Sequence, residues 1–213
     1  MGFTQLEAMM SRVCILDYGS GNVKSVYNLF ASLADSVTIS NTPADIENAT
    51  HIVLPGVGAF AASMRRIHEN LPLDALDRVV RTKCKPFLGI CVGMQVLAER
   101  GFEFGETAGL GWIKGSIEKL DSKEFPLPHI GWNNIDCRQA SPLLTGLENS
   151  PDLYFVHSFV FHPTDPETIL ATTDYGRQFC CVIQSDNIYG VQFHPEKSQR
   201  AGIKLAKNFL ALS

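Results

Sequence analysis

Short apolar runs alternate along the chain with stretches in which apolar residues return at helical spacing. Arg12-Val13-Cys14-Ile15-Leu16-Asp17, Ser36-Val37-Thr38-Ile39-Ser40 and His51-Ile52-Val53-Leu54 are runs of the first kind, as is Phe87-Leu88-Gly89-Ile90-Cys91. Short apolar runs of this kind read as strands, and Phe87, Leu88 and Ile90 as a parallel strand buried on both faces. Val23, Val26, Tyr27, Phe30 and Leu33 predict a helix between the first two runs. A turn with a short helix is expected over 42–48, a helical segment over 71–83, and a further helix over 92–100 with Val92, Val96 and Leu97 on one face.

The second half reads differently. Residues 101–111 are glycine-rich and expected to be irregular, and 113–120 and 128–135 read as strands. A turn with a short helix is expected over 141–149. Three β-like runs follow at 153–161, 168–173 and 179–184, then Ile188-Tyr189-Gly190-Val191-Gln192-Phe193. A closing helix is predicted over 198–212, with Ile203, Leu205, Ala206, Phe209 and Leu210 as its apolar members. Consecutive strands pair by hairpins more readily than by crossovers. The expectation is an α/β fold with an open, mixed, mostly parallel central sheet, helices on both faces and antiparallel additions in the second half.

Bulk properties narrow the function classes. The 213 residues are enough for one α/β domain, placed at 11–213, with a sizeable core. A net charge of -4 and the lack of a long Lys/Arg run argue against a nucleic-acid binder. No apolar run approaches the ~20 residues of a membrane span. Residues 1–12 lack the basic start and apolar centre of a leader peptide, and residues 1–10 are set apart from the fold. They read as an N-terminal extension, with Met9 or Met10 a later natural start, or as residues left by cloning. None of the six cysteines has C-x-x-C spacing, so no zinc knuckle or redox pair is indicated. Cys14, Cys180 and Cys181 fall in strand-like runs and are expected to pack in the core. A reducing cytoplasm is the expected compartment.

Chemistry concentrates at Cys91. Gly89-Ile90-Cys91-Val92-Gly93 is the cysteine form of a nucleophile elbow, in which small neighbours let the chain turn sharply from strand to helix. The predicted helix N-terminus would favour thiolate over thiol. A cysteine nucleophile needs an imidazole, and the imidazole needs a group that orients it. Of six histidines, His51 and His68 read as structural or solvated, and His129, His157 and His162 as either structural or functional. His194 stands out because it ends an apolar strand, where open α/β sheets place their chemistry, and Pro195-Glu196 follows at once. Glu196 can fold back onto one ring nitrogen and leave the other facing Cys91. A third stretch, Pro55-Gly56-Val57-Gly58-Ala59-Phe60, follows the third strand. Its glycines match G-x-G-x-x-A through Ala61, but the acidic residues downstream, Asp74 and Asp77, lie in a predicted helix and not at a strand end. A dinucleotide site is therefore discounted. The glycines can instead aim backbone N–H groups at a developing negative charge.

P-G-V-G-A-F, G-I-C-V-G-M-Q and Q-F-H-P-E-K-S together resemble the class I, triad-type glutamine amidotransferases. D-Y-G-S-G-N, P-H-I-G-W-N and Y-F-V-H-S-F resemble the branch of that class that serves histidine biosynthesis. Val57 departs from the P-G-P loops usual in relatives serving anthranilate or GMP synthesis. The similarity runs from Arg12 onward.

The resemblance implies that Cys91 attacks the side-chain amide of glutamine, that His194 moves the proton and that Glu196 orients His194. It implies an oxyanion site at the Val92 N–H and the Gly56-Val57-Gly58 loop. Gln95 and the His157-Ser158-Phe159 backbone would contact the substrate. The family more often has tyrosine at the position of Phe159, but a backbone contact does not need the hydroxyl. The resemblance also implies a (β/α)8-barrel synthase partner that receives the ammonia and makes imidazole glycerol phosphate and an aminoimidazole carboxamide ribotide. Asn22, Trp132, Asn133, Tyr154 and Lys197 would face that partner. No metal or organic cofactor is implied. Two other roles fit the same residues: ammonia donor to a different synthase, or a non-catalytic regulatory subunit of the same fold.

Overall fold

The structure, a computed structural model, describes residues 10–19, 21–149 and 151–213. The expected extension up to residue 9 lies outside the described residues, as does Ser20 in the D-Y-G-S-G-N loop.

In chain order the first half contains β1 (Arg12–Leu16), α1 (Val23–Ala31), β2 (Ser36–Ser40), α2 (Pro43–Asn48), β3 (His51–Gly56), α3 (Phe60–Asn70), α4 (Leu73–Asp77), β4 (Phe87–Cys91) and α5 (Val92–Gln95). The second half contains β5 (Arg100–Gly101), β6 (Thr107–Ala108), β7 (Gly115–Lys119), β8 (His129–Asn134), β9 (Asp136–Cys137), β10 (Asp152–His157), β11 (Phe159–Pro163), β12 (Ile169–Asp174), β13 (Gln178–Ser185), β14 (Ile188–Val191) and α6 (Gln199–Leu210). The main sheet runs in the order β2-β1-β3-β4-β14-β13-β11-β7-β5-β6. From β2 to β14 every pairing is parallel. The β14–β13, β13–β11 and β11–β7 pairings are antiparallel. The expected mixed sheet, with helices on both faces, is what forms. β8 and β10 pair as a separate antiparallel ribbon, with His129 opposite His157 and Trp132 opposite Tyr154.

The parallel centre is where the apolar runs are longest. Every residue of β3 and β4 is buried, as expected of strands covered on both faces. On one face α1 meets α6, and Phe30 and Phe209 pack edge to face at 6.1 Å between centroids. Cys14, Cys180 and Cys181 are buried in the core, as their strand positions predicted.

Three elements depart from the pattern reading. The helix after Cys91 ends at Gln95 rather than continuing to Arg100. The carbonyls of Val96, Leu97, Ala98 and Glu99, just past the end of the helix, accept from Leu110, Ile113, Gly111 and Gly109. The returning glycine-rich loop thus satisfies these carbonyls in place of a further helical turn. That loop also carries the small β5–β6 hairpin. The apolar run 153–161 is not one strand. It breaks at Ser158, and its halves join different sheets. In α6, Ile203 is exposed rather than packed.

Candidate active site

The elbow is built by mutual contact of glycines. Cys91 has φ 55° and ψ -113°, a strained backbone for a residue with a side chain. A Cβ at Gly93 would lie 1.9 Å from the Leu54 carbonyl oxygen, and one at Gly89 would lie 2.4 Å from the Gly93 oxygen. The turn closes because those two positions have no side chain. One strand away, Gly56 sits opposite Cys91 in the β3–β4 register, so the Gly-Val-Gly loop starts beside the thiol. A single turn of helix carries little macrodipole, so the imidazole of His194 is the main positive partner available to the sulfur.

His194 follows β14 and is anchored by its own backbone, with its N–H on the Tyr154 carbonyl at 2.8 Å. Its side chain is 1% exposed. Pro195–Lys197 forms one turn of 3-10 helix, which brings Glu196 Oε1 to 2.7 Å from His194 Nδ1. The Asn22 side-chain amide donates to the same carboxylate oxygen. The other ring nitrogen, Nε2, is buried and has no hydrogen-bond partner among the described residues. It faces the thiol. Burial alone pulls the His194 imidazole down, but Cys91 and Glu196 outweigh it and raise the ring to about 9.

Cys91 and His194 open into one cavity of about 340 Å³, within the range of small-molecule sites. Its walls include every substrate and oxyanion residue expected from the sequence except Gly56, which lies just behind: Val57, Gly58, Val92, Gln95, His157, Ser158 and Phe159. Gly58 has φ 97° with open space around it. The Val92 N–H is the first of α5 and has no helical carbonyl to receive it. Gln95 donates from Nε2 to the Phe159 carbonyl and to Gln192 Oε1, both at 3.0 Å.

The wall opposite is held by a chain of histidines. His157 Nδ1 lies 3.1 Å from the Phe159 carbonyl, which can only accept, so Nδ1 carries the proton. Nε2 then accepts from His129 Nδ1 at 3.0 Å, and His129 Nε2 accepts from the Asn133 amide at 3.4 Å. Both rings are neutral. Burial pushes His129 down to about 4, and burial with the neighbouring His129 pushes His157 to about 3.

Of the five residues expected to face a partner, three form one surface cluster. Trp132 and Tyr154 pack edge to face at 5.8 Å, and the Lys197 ammonium lies 5.4 Å from the Tyr154 ring centroid. Trp132 and Lys197 are exposed. Asn22 and Asn133 instead turn their amides inward, to Glu196 and to His129 with the Asp174 carbonyl.

Sequence reasoning missed Gln192, Glu103 and Val156. Gln192 belongs to the quoted Q-F-H-P-E run but carried no role, and its Nε2 lies 3.7 Å from Cys91 Sγ. Glu103 lines the cavity from the β5–β6 turn and caps α3 by accepting from the Phe60 N–H at 2.7 Å. The Val156 carbonyl accepts from the Cys91 thiol at 3.9 Å.

The family model for class I glutamine amidotransferases matches residues 14–212. Among curated proteins, the imidazole glycerol phosphate synthase subunit HisH of Pelagibacter ubique is 44% identical over 206 residues, covering 94% of this chain and 99% of that one. The chain belongs to the class I glutamine amidotransferases, in the group of the HisH subunits. The HisH subunit of Rhodospirillum rubrum is 42% identical, with 93% of this chain and 98% of that one covered. Solved structures agree on the fold. A glutamine amidotransferase from Thermotoga maritima superposes with a TM-score of 0.65 at 18% identity, covering 88% of this chain and 76% of that one. The glutaminase domain of Trypanosoma brucei CTPS gives 0.68 at 16% identity, covering 94% of this chain and 92% of that one. Among the described residues, no helix is long and apolar enough to cross a membrane.

Proposed function

We propose that this chain hydrolyses glutamine with Cys91, His194 and Glu196 and passes the ammonia to a (β/α)8-barrel synthase subunit of histidine biosynthesis. The observation that carries this reading is the thiol and imidazole facing each other in one cavity, with Glu196 on the far nitrogen of the ring. Cys91 gives its proton to His194 Nε2, and the sulfur attacks the amide carbon of glutamine. The C–S bond forms as the carbonyl oxygen becomes an oxyanion, held by the Val92 N–H and a donor from Gly56-Val57-Gly58. The intermediate collapses, the C–N bond breaks, and His194 protonates the leaving nitrogen to give ammonia. Water, deprotonated by His194, then cleaves the thioester to glutamate and restores the thiol.

Gln95 and the backbone of His157, Ser158 and Phe159 grip the amino-acid end of the substrate. Ammonia released into water would be lost as ammonium, so the Trp132, Tyr154 and Lys197 face docks the partner that consumes it. Asn22 and Asn133 border that face and tie it to the site. The partner makes imidazole glycerol phosphate and an aminoimidazole carboxamide ribotide. A reducing cytoplasm suits an enzyme whose six cysteines are all free.

The test is Cys91→Ala in the reconstituted complex. Glutamine-dependent synthesis is expected to vanish while synthesis from added ammonium persists. Loss of both would mean that Cys91 serves folding or docking, and retention of both would remove it as nucleophile.

A further inference from the structure

Gln192 is fully buried behind the reactive sulfur, on the residue after β14. Its backbone N–H is fixed on the Cys181 carbonyl at 2.9 Å. Its side-chain amide is fixed as well, and in one orientation. Gln95 Nε2 donates at 3.0 Å both to the Phe159 carbonyl and to Gln192 Oε1. A flipped Gln192 would set its NH2 against the NH2 of Gln95, two donors with nothing to accept. The chain Phe159–Gln95–Gln192 therefore aims the Gln192 NH2 at Cys91 Sγ, 3.7 Å away.

A thiol sulfur is a weak acceptor and gains little from such a donor. A thiolate is a charged acceptor, and a buried charge needs hydrogen bonds to stay charged. The donor thus discriminates between the two states of the sulfur. We propose that Gln192 is a further catalytic residue, whose amide N–H holds the Cys91 sulfur in its charged, reactive form. This rests on the reading of Cys91 as the nucleophile. The proton leaving the sulfur goes to His194 Nε2, so the pair becomes thiolate and imidazolium, and Gln192 donates to the anion as a second partner besides the imidazolium. Once the sulfur is acylated it loses its charge and the donor loses most of its hold, so the contact favours the state that attacks. The other titratable groups facing the sulfur are His194 with Glu196 behind it, and His157 and Glu103 across the cavity.

The experiment follows alkylation of Cys91 by iodoacetamide against pH in the full chain, with the modified peptide mapped to separate it from exposed Cys84. Gln192→Leu and Gln192→Met remove the donor at similar size; Met serves if Leu disturbs the fold, which thermal melting reads. Either variant is expected to move the acid limb of the alkylation profile up by about one pH unit, tenfold less thiolate at a given pH below the limb. A residue that only packs would scale the rate equally at every pH and leave the limb in place, and that result overturns the assignment. Wild-type chain alkylated at Cys91 is assayed in parallel. If it still hydrolyses glutamine, the reading of Cys91 fails and the proposal with it. If alkylation abolishes hydrolysis and the limb in both variants stays put, Gln192 alone is wrong.

Discussion

His129 and His157 face each other across the β8–β10 ribbon, joined by one hydrogen bond of 3.0 Å between Nδ1 and Nε2. With Asn133 donating at one end and the Phe159 carbonyl accepting at the other, every ring nitrogen has a fixed role. Protonating either ring would set two donors against each other, in a place where burial already disfavours charge.

That pairing makes the protein sensitive to mild acid. Both rings titrate below the ordinary 6.5, His129 at about 4 and His157 at about 3, so below 6.5 the unfolded chain binds protons that the folded chain refuses. Stability is complete above 6.5 and is lost as pH falls through the folded values. With both histidines charged only in the unfolded chain, the slope near pH 5 is about 2.7 kcal/mol per pH unit. His194 behaves oppositely. Its ring is raised to about 9, so its contribution is complete below 6.5 and is lost as pH rises toward 9. Urea unfolding at pH 7.5, 6 and 5 reads the acid limb. His157→Gln, which can still donate and accept, is expected to halve the histidine part of that slope. An unchanged slope would show that carboxylates alone drive it.

The elbow glycines separate two kinds of cost. A methyl group at Gly93 would collide with the Leu54 carbonyl, a backbone atom of a buried strand that has nowhere to move. Gly58, in contrast, has open space and only its φ of 97° to defend. Gly93→Ala is expected to cost about 3 kcal/mol or more, or to prevent soluble expression. Gly58→Ala is expected to cost about 1–2 kcal/mol and to keep the fold. Melting temperatures of the two variants check the ranking, and equal losses would refute the collision at Gly93.

What the sequence made legible was local. The elbow depends on residues within two positions of Cys91, and Glu196 is two residues from His194, so spacing alone pointed to both. The Gln95–Gln192 and His129–His157 contacts join residues 97 and 28 apart. They exist only because strand register brings them together, which no spacing encodes. The length of α5 was hidden for the same reason, since the loop at 109–113 takes the carbonyls of residues 96–99 just past its end. The acceptors that the Asn22 and Asn133 amides reach, Glu196 and the Asp174 carbonyl, were hidden too, because they lie far along the chain.

In the proposed reaction Glu196 acts through the ring it holds, and Asn22 through Glu196. His194→Asn removes the proposed proton carrier and is expected to lower kcat by about 10³-fold. Glu196→Gln keeps a neutral partner on Nδ1 and is expected to retain more activity than His194→Asn. Asn22→Leu is expected to cost only severalfold, because Glu196 keeps its bond to the ring. The check is kcat of the three variants in the assembled enzyme. Equal losses at His194 and Glu196 would contradict the division of roles.

Lys197 sits one residue past Glu196 with its ammonium over Tyr154, itself packed on Trp132. A docking partner would cover all three at once, and the large aromatic at the centre would carry more of the binding than the charge at its edge. Trp132→Ala is therefore expected to weaken binding of the synthase subunit by about 30-fold, and Lys197→Ala by about 3- to 10-fold. Neither side chain lines the cavity at Cys91, so KM for glutamine in the saturated complex should stay within about twofold of wild type in both. Titration calorimetry against the synthase subunit, with glutamine kinetics at saturating partner, separates the two effects. A raised KM with unchanged partner affinity would move the docking face elsewhere on the molecule.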